Sequence, residues 1–225
     1  MTSPARDSPR DAAGFVLAGG QSSRMGEDKA LVKFAGRPLI VRALGILRAA
    51  GLQPSIAGAR ADLTSFAPVV EDPAPQAGLG PLAGICSALA ATTMPLAAFI
   101  PVDLPLLPSS LIACLLRHAA VTGAVITVPA ISGFAQTFPA VIHRSALPIL
   151  QAQLESSNRG CFSAFQVAAT TLNQPFSVLP VEPLVQSGQI SHPNGLPAAF
   201  WFLNVNGRHD LARAEALVSA SLPVS

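Results

Sequence analysis

Charge is scarce in this chain: 12% of its 225 residues are charged, half are hydrophobic, and the net charge is +2. So small an excess excludes a general electrostatic surface for nucleic acid or an anionic membrane. Cysteine is also scarce. Cys86, Cys114 and Cys161 are odd in number, widely spaced and set among apolar residues, which excludes a disulfide framework or a zinc knuckle and reads as reduced, buried thiols. The four histidines, His118, His143, His192 and His209, stand far apart without metal-ligand spacing. There is no Gly-x-Ser-x-Gly elbow either, which argues against a hydrolase. No apolar run reaches the roughly 18 residues of a spanning helix, since residues 94–102 are cut by Pro95 and Pro101. The opening MTSPARDSPRDAA has no hydrophobic core of its own. It reads as no signal peptide, but as a disordered tail over residues 1–13 ahead of one domain, 14–225, in a cytoplasmic protein.

What the chain does have is concentrated early. Residues 15–33 read FVLAGGQSSRMGEDKALVK. An apolar run, Phe15 to Ala18, predicts a buried strand that breaks at Gly19-Gly20. A small-residue loop with Arg24 and then Lys29 follows. Glycines let the backbone turn sharply and approach a ligand closely. Successive loop N–H groups form a concavity for anions, and the two cations can neutralise a phosphate. The stretch is neither a Walker loop nor the Gly-x-Gly-x-x-Gly dinucleotide fingerprint. Seven of the fourteen Lys and Arg residues lie between Arg24 and Arg60, and Lys29 and Lys33 are the only lysines. That local excess suits a small anionic ligand, although a solvated helix face equally accounts for Arg42 and Arg48.

Downstream, apolar spacing predicts a helix over residues 38–50 closed by Gly51. Strands follow at 55–57 and 68–70, a helix at 85–91 and a strand at 97–102. Strands alternating with helices imply a parallel, doubly wound α/β sheet. Ligands sit beyond the carboxyl ends of strands in such sheets, where Gly19, Asp72 and Asp103 fall. Further on, helices are expected at 111–120, 147–154 and 210–220, and strands at 124–128, 138–143, 177–181 and 200–206. Residues 159–169 fit helix or loop, and 182–197 read as a loop. Trp201 reads as core.

Only Glu71, Asp72 and Asp103 are acidic between Leu63 and Leu154. Asp103 stands in the apolar F-I-P-V-D-L-P, where an ionised carboxylate needs a partner. A magnesium ion, which takes one or two carboxylates plus substrate phosphates, would serve. A helix N-cap role for Asp103 and a turn-forming role for Asp72 before Pro73 fit the spacing equally well.

Residues 17–31 match every fixed position of L-A-G-G-x-S-x-R-M-G-x-D-K-A-L, and the chain thereby resembles the nucleotidyltransferases, most closely the molybdenum cofactor guanylyltransferase family. The resemblance implies a three-layer α/β/α, Rossmann-like, mostly parallel sheet of the nucleotide-diphospho-sugar transferase type. It implies transfer of GMP from GTP to molybdopterin with release of pyrophosphate. By the same resemblance Leu17, Ala18, Gly19 and Gly20 hold the base and its neighbourhood, and Asp72 contacts the nucleotide. Arg24 and Lys29 bind phosphates, and Asp103, in Asp-Leu-Pro, carries Mg2+. Gly80 and Pro81 of G-P-L-A-G, with Asn204 and Asn206 of F-x-N-V-N, lie toward the pterin acceptor. Recipient molybdoenzymes or other cofactor-biosynthesis proteins are the implied partners. Two positions depart from the family: Ala57 stands where an asparagine contacts the nucleotide, and Gln136-Thr137 replaces a Gln-Pro or His-Pro pair, with Pro139 displaced. The alternatives are a CTP-dependent molybdopterin cytidylyltransferase, another nucleotidyltransferase such as a sugar-phosphate enzyme, and a non-catalytic nucleotide-binding accessory protein.

Overall fold

The computed structural model describes residues 12–18, 28–74, 76–156 and 159–220. Of the signature, Gly19, Gly20 and Arg24 fall outside the described residues, as do residues 1–11 of the expected tail. Strand β1 (Ala12–Leu17) starts two residues ahead of the expected domain start. It is the centre of the sheet, paired in parallel with β4 (Pro54–Ala57) on one side and β6 (Leu96–Pro101) on the other. β5 (Val69–Val70) extends the first side. On the second side β6 meets β9 (Ala140–His143), which runs antiparallel and also pairs with β7 (Ile126–Ile131). β10 (Phe176–Pro180) closes that edge in parallel with β7, and the short β8 (Phe134–Ala135) hangs from β7. The order is β10-β7-β9-β6-β1-β4-β5. The sheet is therefore mostly parallel, as the resemblance implied; the antiparallel β9 in its middle departs from the parallel sheet that the alternation of strands and helices implied.

Helices cover both faces. β1 and β6 are buried on each side, so their apolar residues alternate between two cores. Val16, Ala98 and Ile100 face α1 (Leu39–Ala49), α3 (Ser109–Thr122) and α7 (Arg208–Ala220). Phe15, Ala97 and Phe99 face α2 (Pro81–Ala91), α4 (Leu147–Glu155) and α5 (Cys161–Leu172), and the rings of Phe15 and Phe99 stack at 5.4 Å. α1 buries Leu39, Ile40, Ala43, Leu44 and Leu47, the stripe expected of an amphipathic helix. Its end is a Schellman closure: Leu52 N–H donates to Leu47 O and Gly51 N–H to Arg48 O, with Gly51 at φ 88°.

Two expectations need correcting. Residues 200–206 are not a strand. Pro197 opens a 3-10 turn, Ala198–Phe200, and Trp201 turns inward, 1% exposed, donating its indole N–H to Leu196 O at 2.8 Å. The aromatic run satisfied the strand pattern, but its backbone bonds are local turns plus one long-range contact at Val205. Residues 182–197 are not all loop, because α6 (Val181–Gln186) starts there, with Pro183 tolerated in its first turn. Of residues 159–169, which fit helix or loop, the part from Cys161 onward is helix α5, which ends at the left-handed Asn173. A small hairpin of β2 (Lys33–Phe34) and β3 (Arg37–Pro38) had no sequence signal.

Candidate active site

β1 leads into a chain that returns through α1 to β4 and β5 on one side, and β6 lies on the other. The connection order thus reverses at β1 and β6, and the crevice beyond their carboxyl ends is where such a sheet receives ligands. The strand ends are knitted together by backbone bonds: Val102 N–H donates to Leu17 O at 3.2 Å and Ala18 N–H to Ala57 O at 3.2 Å. Leu17 and Ala18 are thereby tied into the crevice floor. Ala57, where the family's asparagine is absent, presents only its carbonyl, bonded to Ala18.

Past β6 the chain turns at Asp103. Its carboxylate Oδ2 accepts from Lys29 Nζ at 2.6 Å, and the same ammonium donates to Asn206 Oδ1 at 2.7 Å. The structure thus brings together three residues singled out from sequence, separated by 74 and 177 positions. Side-chain exposures of 17% for Lys29 and 20% for Asp103 leave the pair reachable yet largely shielded from water. Val205 N–H donates to Asp103 O at 2.9 Å, which docks the F-x-N-V-N segment directly on the Asp-Leu-Pro turn. Asn206 N–H in turn donates to Asp210 Oδ2 at 3.0 Å, at the start of α7. Asn204 is exposed.

Asp103 Oδ1 is the informative atom. It is buried and has no hydrogen-bond partner among the described residues. A buried carboxylate oxygen without a donor is costly unless a cation or substrate donor meets it. Among the described residues no group of three His, Cys, Asp or Glu could hold a metal alone, so a divalent cation here would draw its remaining ligands from phosphate oxygens and water, as magnesium does. The residues present fit such an ion.

Asp72 stands at the same end of the sheet, beyond β5, but is not hydrogen-bonded to the Lys29 cluster. Its Oδ1 accepts from Ser87 Oγ at 3.0 Å, and Ser87 Oγ lies equally close to Ala83 O. Burial pushes the Asp72 carboxyl above its ordinary value, and the Ser87 hydroxyl offsets this only in part. Gly80 caps α2 at φ 93°, a backbone that favours glycine, and Pro81 occupies the first turn where its missing N–H costs nothing.

Sequence reasoning missed two cations. Arg42 is not a solvated helix residue: it lies 4.7 Å over the Phe34 ring, and its Nε donates to Pro105 O, pinning the turn just after Asp103. Arg60 bonds Ala18 O, Asp28 and Asp62 together. Hydrogen bonding to Asp62, with the charges of Asp28 and Asp62, raises its pKa against the opposing effect of burial. The cluster of basic residues up to Arg60 was the available signal. The cysteines behave as expected, Cys86 and Cys161 being buried and pushed up to about 12 by burial.

Residues 14–170 match the MobA-like NTP transferase domain. The molybdenum cofactor guanylyltransferase of Xanthomonas euvesicatoria pv. vesicatoria (strain 85-10) is 44% identical over 108 residues, 46% of this chain and 52% of that protein. A probable molybdenum cofactor guanylyltransferase of Opitutus terrae is 41% identical over 97 residues and is covered over 48% of its length. The chain thus spans about half the length of these two relatives. A probable molybdenum cofactor guanylyltransferase of Bacillus cereus (strain ATCC 10987 / NRS 248) is 30% identical over 209 residues, 90% of this chain and 95% of that one. Among solved structures, molybdopterin-guanine dinucleotide biosynthesis protein A from Archaeoglobus fulgidus superposes with a TM-score of 0.74 at 21% identity, covering 92% of this chain and 99% of that one. The 2-C-methyl-D-erythritol 4-phosphate cytidylyltransferase of Thermus thermophilus gives 0.63 at 17% identity, covering 91% and 98%. These structural likenesses establish the nucleotide-diphospho-sugar transferase type of fold, and no more.

Proposed function

The chain belongs to the MobA-like NTP transferase family, and on that premise we propose that it is a molybdenum cofactor guanylyltransferase. It transfers GMP from GTP to the terminal phosphate of molybdopterin and releases pyrophosphate. The observation that carries this reading is the corner where Lys29 is held between Asp103 and Asn206 while Asp103 Oδ1 is buried without a partner among the described residues.

Nucleotidyl transfer needs no side-chain nucleophile. A phosphate oxygen of the acceptor attacks the α-phosphorus, the bond to the bridging oxygen breaks, and pyrophosphate carries the electron pair away. The protein aligns the two phosphates and neutralises their charge. Lys29 has three N–H donors. Two are spent on Asp103 and Asn206, which aim the ammonium and leave one donor for a phosphate oxygen. Arg24 is the second cation assigned to the β- and γ-phosphates. Mg2+, held by Asp103, would supply further charge neutralisation on the phosphates. The backbone of Leu17, Ala18, Gly19 and Gly20, with Asp72, takes the guanosine side. Gly80, Pro81, Asn204 and Asn206 take the pterin side. The Ala18-Gly19-Gly20 and Asp28-Lys29 spellings favour GTP over CTP.

Among the described residues no helix is long and apolar enough to cross a membrane, and soluble substrates make the cytoplasm the compartment of this reading. Recipient molybdoenzymes are its expected downstream partners. Binding of GTP, CTP and ATP with Mg2+ to the wild type and to Asp103→Ala tests the assignment. GTP preference with strong loss in the variant supports it. CTP preference moves the chain to the cytidylyl branch, and absence of Mg2+-dependent binding of any triphosphate leaves a non-catalytic nucleotide-binding role.

A further inference from the structure

Arg60 follows β4 and has no part in the roles assigned above. A guanidinium offers five N–H donors in a fixed plane, and here acceptors stand at all of them. Nε donates to Asp62 Oδ1 at 2.9 Å, and Nη2 to Asp62 Oδ2 at 2.8 Å and to Asp28 Oδ2. Nη1 donates to Asp28 Oδ1 at 3.2 Å and to Ala18 O at 3.2 Å. The side chain therefore grips two carboxylates bidentately and one main-chain carbonyl. It is only 14% exposed, whereas Asp62 is 56% exposed.

Two of these acceptors matter for the site. Ala18 ends the central strand. Asp28 directly precedes Lys29 and organises the turn that carries it: Asp28 Oδ1 accepts from Ala30 N–H at 3.0 Å, and Asp28 O from Leu31 and Val32 N–H at 2.9 and 3.1 Å. Rotation of the Asp28 side chain would disturb this turn and with it the path of Lys29 to Asp103. One rigid fork thus ties the turn bearing Lys29 to the strand that forms the crevice floor. With every donor engaged, Arg60 has none left to read a base or bind a phosphate. Its place is behind the ligand site, and the Ala18 carbonyl keeps a second lone pair for a base N–H.

We propose that Arg60 is a positioning residue for Lys29, acting through Asp28 and the Ala18 carbonyl. The proposal rests on the guanylyltransferase reading for its consequence in rate, but not for its structural content. A lysine cannot replace it, because a single ammonium has neither the planar fork nor enough donors for two carboxylates and a carbonyl.

The chain has only two lysines, Lys29 and the exposed Lys33, so protein labelled with [ε-13C]lysine gives two side-chain signals. Arg60→Ala and Arg60→Lys are compared with the wild type by these signals and by GTP turnover with Mg2+. The expected result is a Lys29 signal that moves toward that of Lys33 in both variants, and a kcat lower by about 10²-fold, the usual loss when a reacting group is misplaced by about 1 Å. The Lys33 signal and the Tm of Arg60→Lys should change little, which separates misplacement of Lys29 from general unfolding. If Arg60→Ala does not fold, Arg60→Lys alone decides. An unmoved Lys29 signal overturns the proposal whatever the rate, and a moved signal with unchanged kcat overturns its catalytic consequence. A wild type that turns over no GTP overturns the guanylyltransferase reading, while the lysine signals still decide the positioning.

Discussion

Asp103 and Asp72 stand at the same end of one sheet, after β6 and after β5, and their surroundings differ. Asp103 faces a lysine that is itself held by Asn206, with a main-chain tie from Val205 behind it. Asp72 faces no cation among the described residues. Its side-chain partner there is the Ser87 hydroxyl, which can equally bond Ala83 O, and burial raises its pKa. A carboxylate whose one oxygen is fixed by a lysine directs its other oxygen, and that arrangement suits the metal and phosphate role proposed for Asp103. A carboxylate short of donors is an acceptor waiting for N–H or O–H groups, suited to a nucleoside. The two residues look alike in sequence, each following an apolar strand, and it is the company each keeps that separates the charge handling proposed for Asp103 from the recognition proposed for Asp72.

The sharpest way to break this contrast is to remove Asp103. Asp103→Ala should lower kcat for GTP transfer by about 10²–10³-fold, the scale of losing one preorganised electrostatic group; a loss below about tenfold in steady-state assays would put the chemistry elsewhere. Lys29→Ala should follow at about 10²-fold, read as kcat with excess Mg2+. Asn206→Ala removes only one of the two groups aiming the ammonium and should cost about tenfold in kcat, near the strength of one hydrogen bond to a charged group. An effect as large as that of Lys29→Ala would mean that Asn206 contacts the acceptor as well.

On the other side of the comparison, Asp72→Asn should raise KM for GTP several-fold while kcat stays within about twofold, as expected for uniform binding. The same variant has a pH signature. Burial raises Asp72 above its ordinary 3.8, so its contribution to stability is complete below 3.8 and is lost as pH rises through the raised value. Asp72→Asn should therefore gain on the wild type in Tm across that span, measured by thermal melts at stepped pH. A constant Tm difference would show that the carboxyl titrates normally. The smallest effect concerns the thiols. Cys86 and Cys161, pushed up to about 12 by burial, should resist alkylation at neutral pH in wild type and Asp72→Asn alike, while the half-buried Cys114 labels first. This is read by mass spectrometry of intact protein.

Much of the contrast was legible in sequence because strand ends are marked by abrupt changes of chemistry: V-V-E-D-P at Asp72, I-P-V-D-L-P at Asp103 and L-A-G-G at β1. Local patterning also located α1 and α2. What resisted reading was long-range. Nothing near Arg60 announces that its guanidinium reaches Asp28, 32 positions away, and nothing near Arg42 announces Pro105. The antiparallel entry of β9 between β6 and β7 is likewise a matter of pairing, which a period-2 pattern cannot assign. Residues 200–206 misled for the opposite reason. Their aromatic run fits a pleated surface, yet Pro197 and the inward Trp201 turn it into a strap anchored at Trp201 and Val205, whose one long-range backbone bond among the described residues is made at Val205.

The strap also sets an order of events during synthesis. Lys29 leaves the ribosome early, Asp103 follows 74 residues later, and Asn206 arrives 177 residues after the lysine it holds. Closing a loop of that length carries an entropic cost, which grows only slowly with length and which the packing around Trp201 and Val205 helps to offset. A nascent chain that carries β1, β4, β5 and β6 still lacks the second anchor of its lysine, because the segment that docks on Asp103 emerges after all four strands. The full aim of the Lys29 ammonium thus waits for Asn206, and a chain ending before Val205 would hold that ammonium through Asp103 without the second anchor.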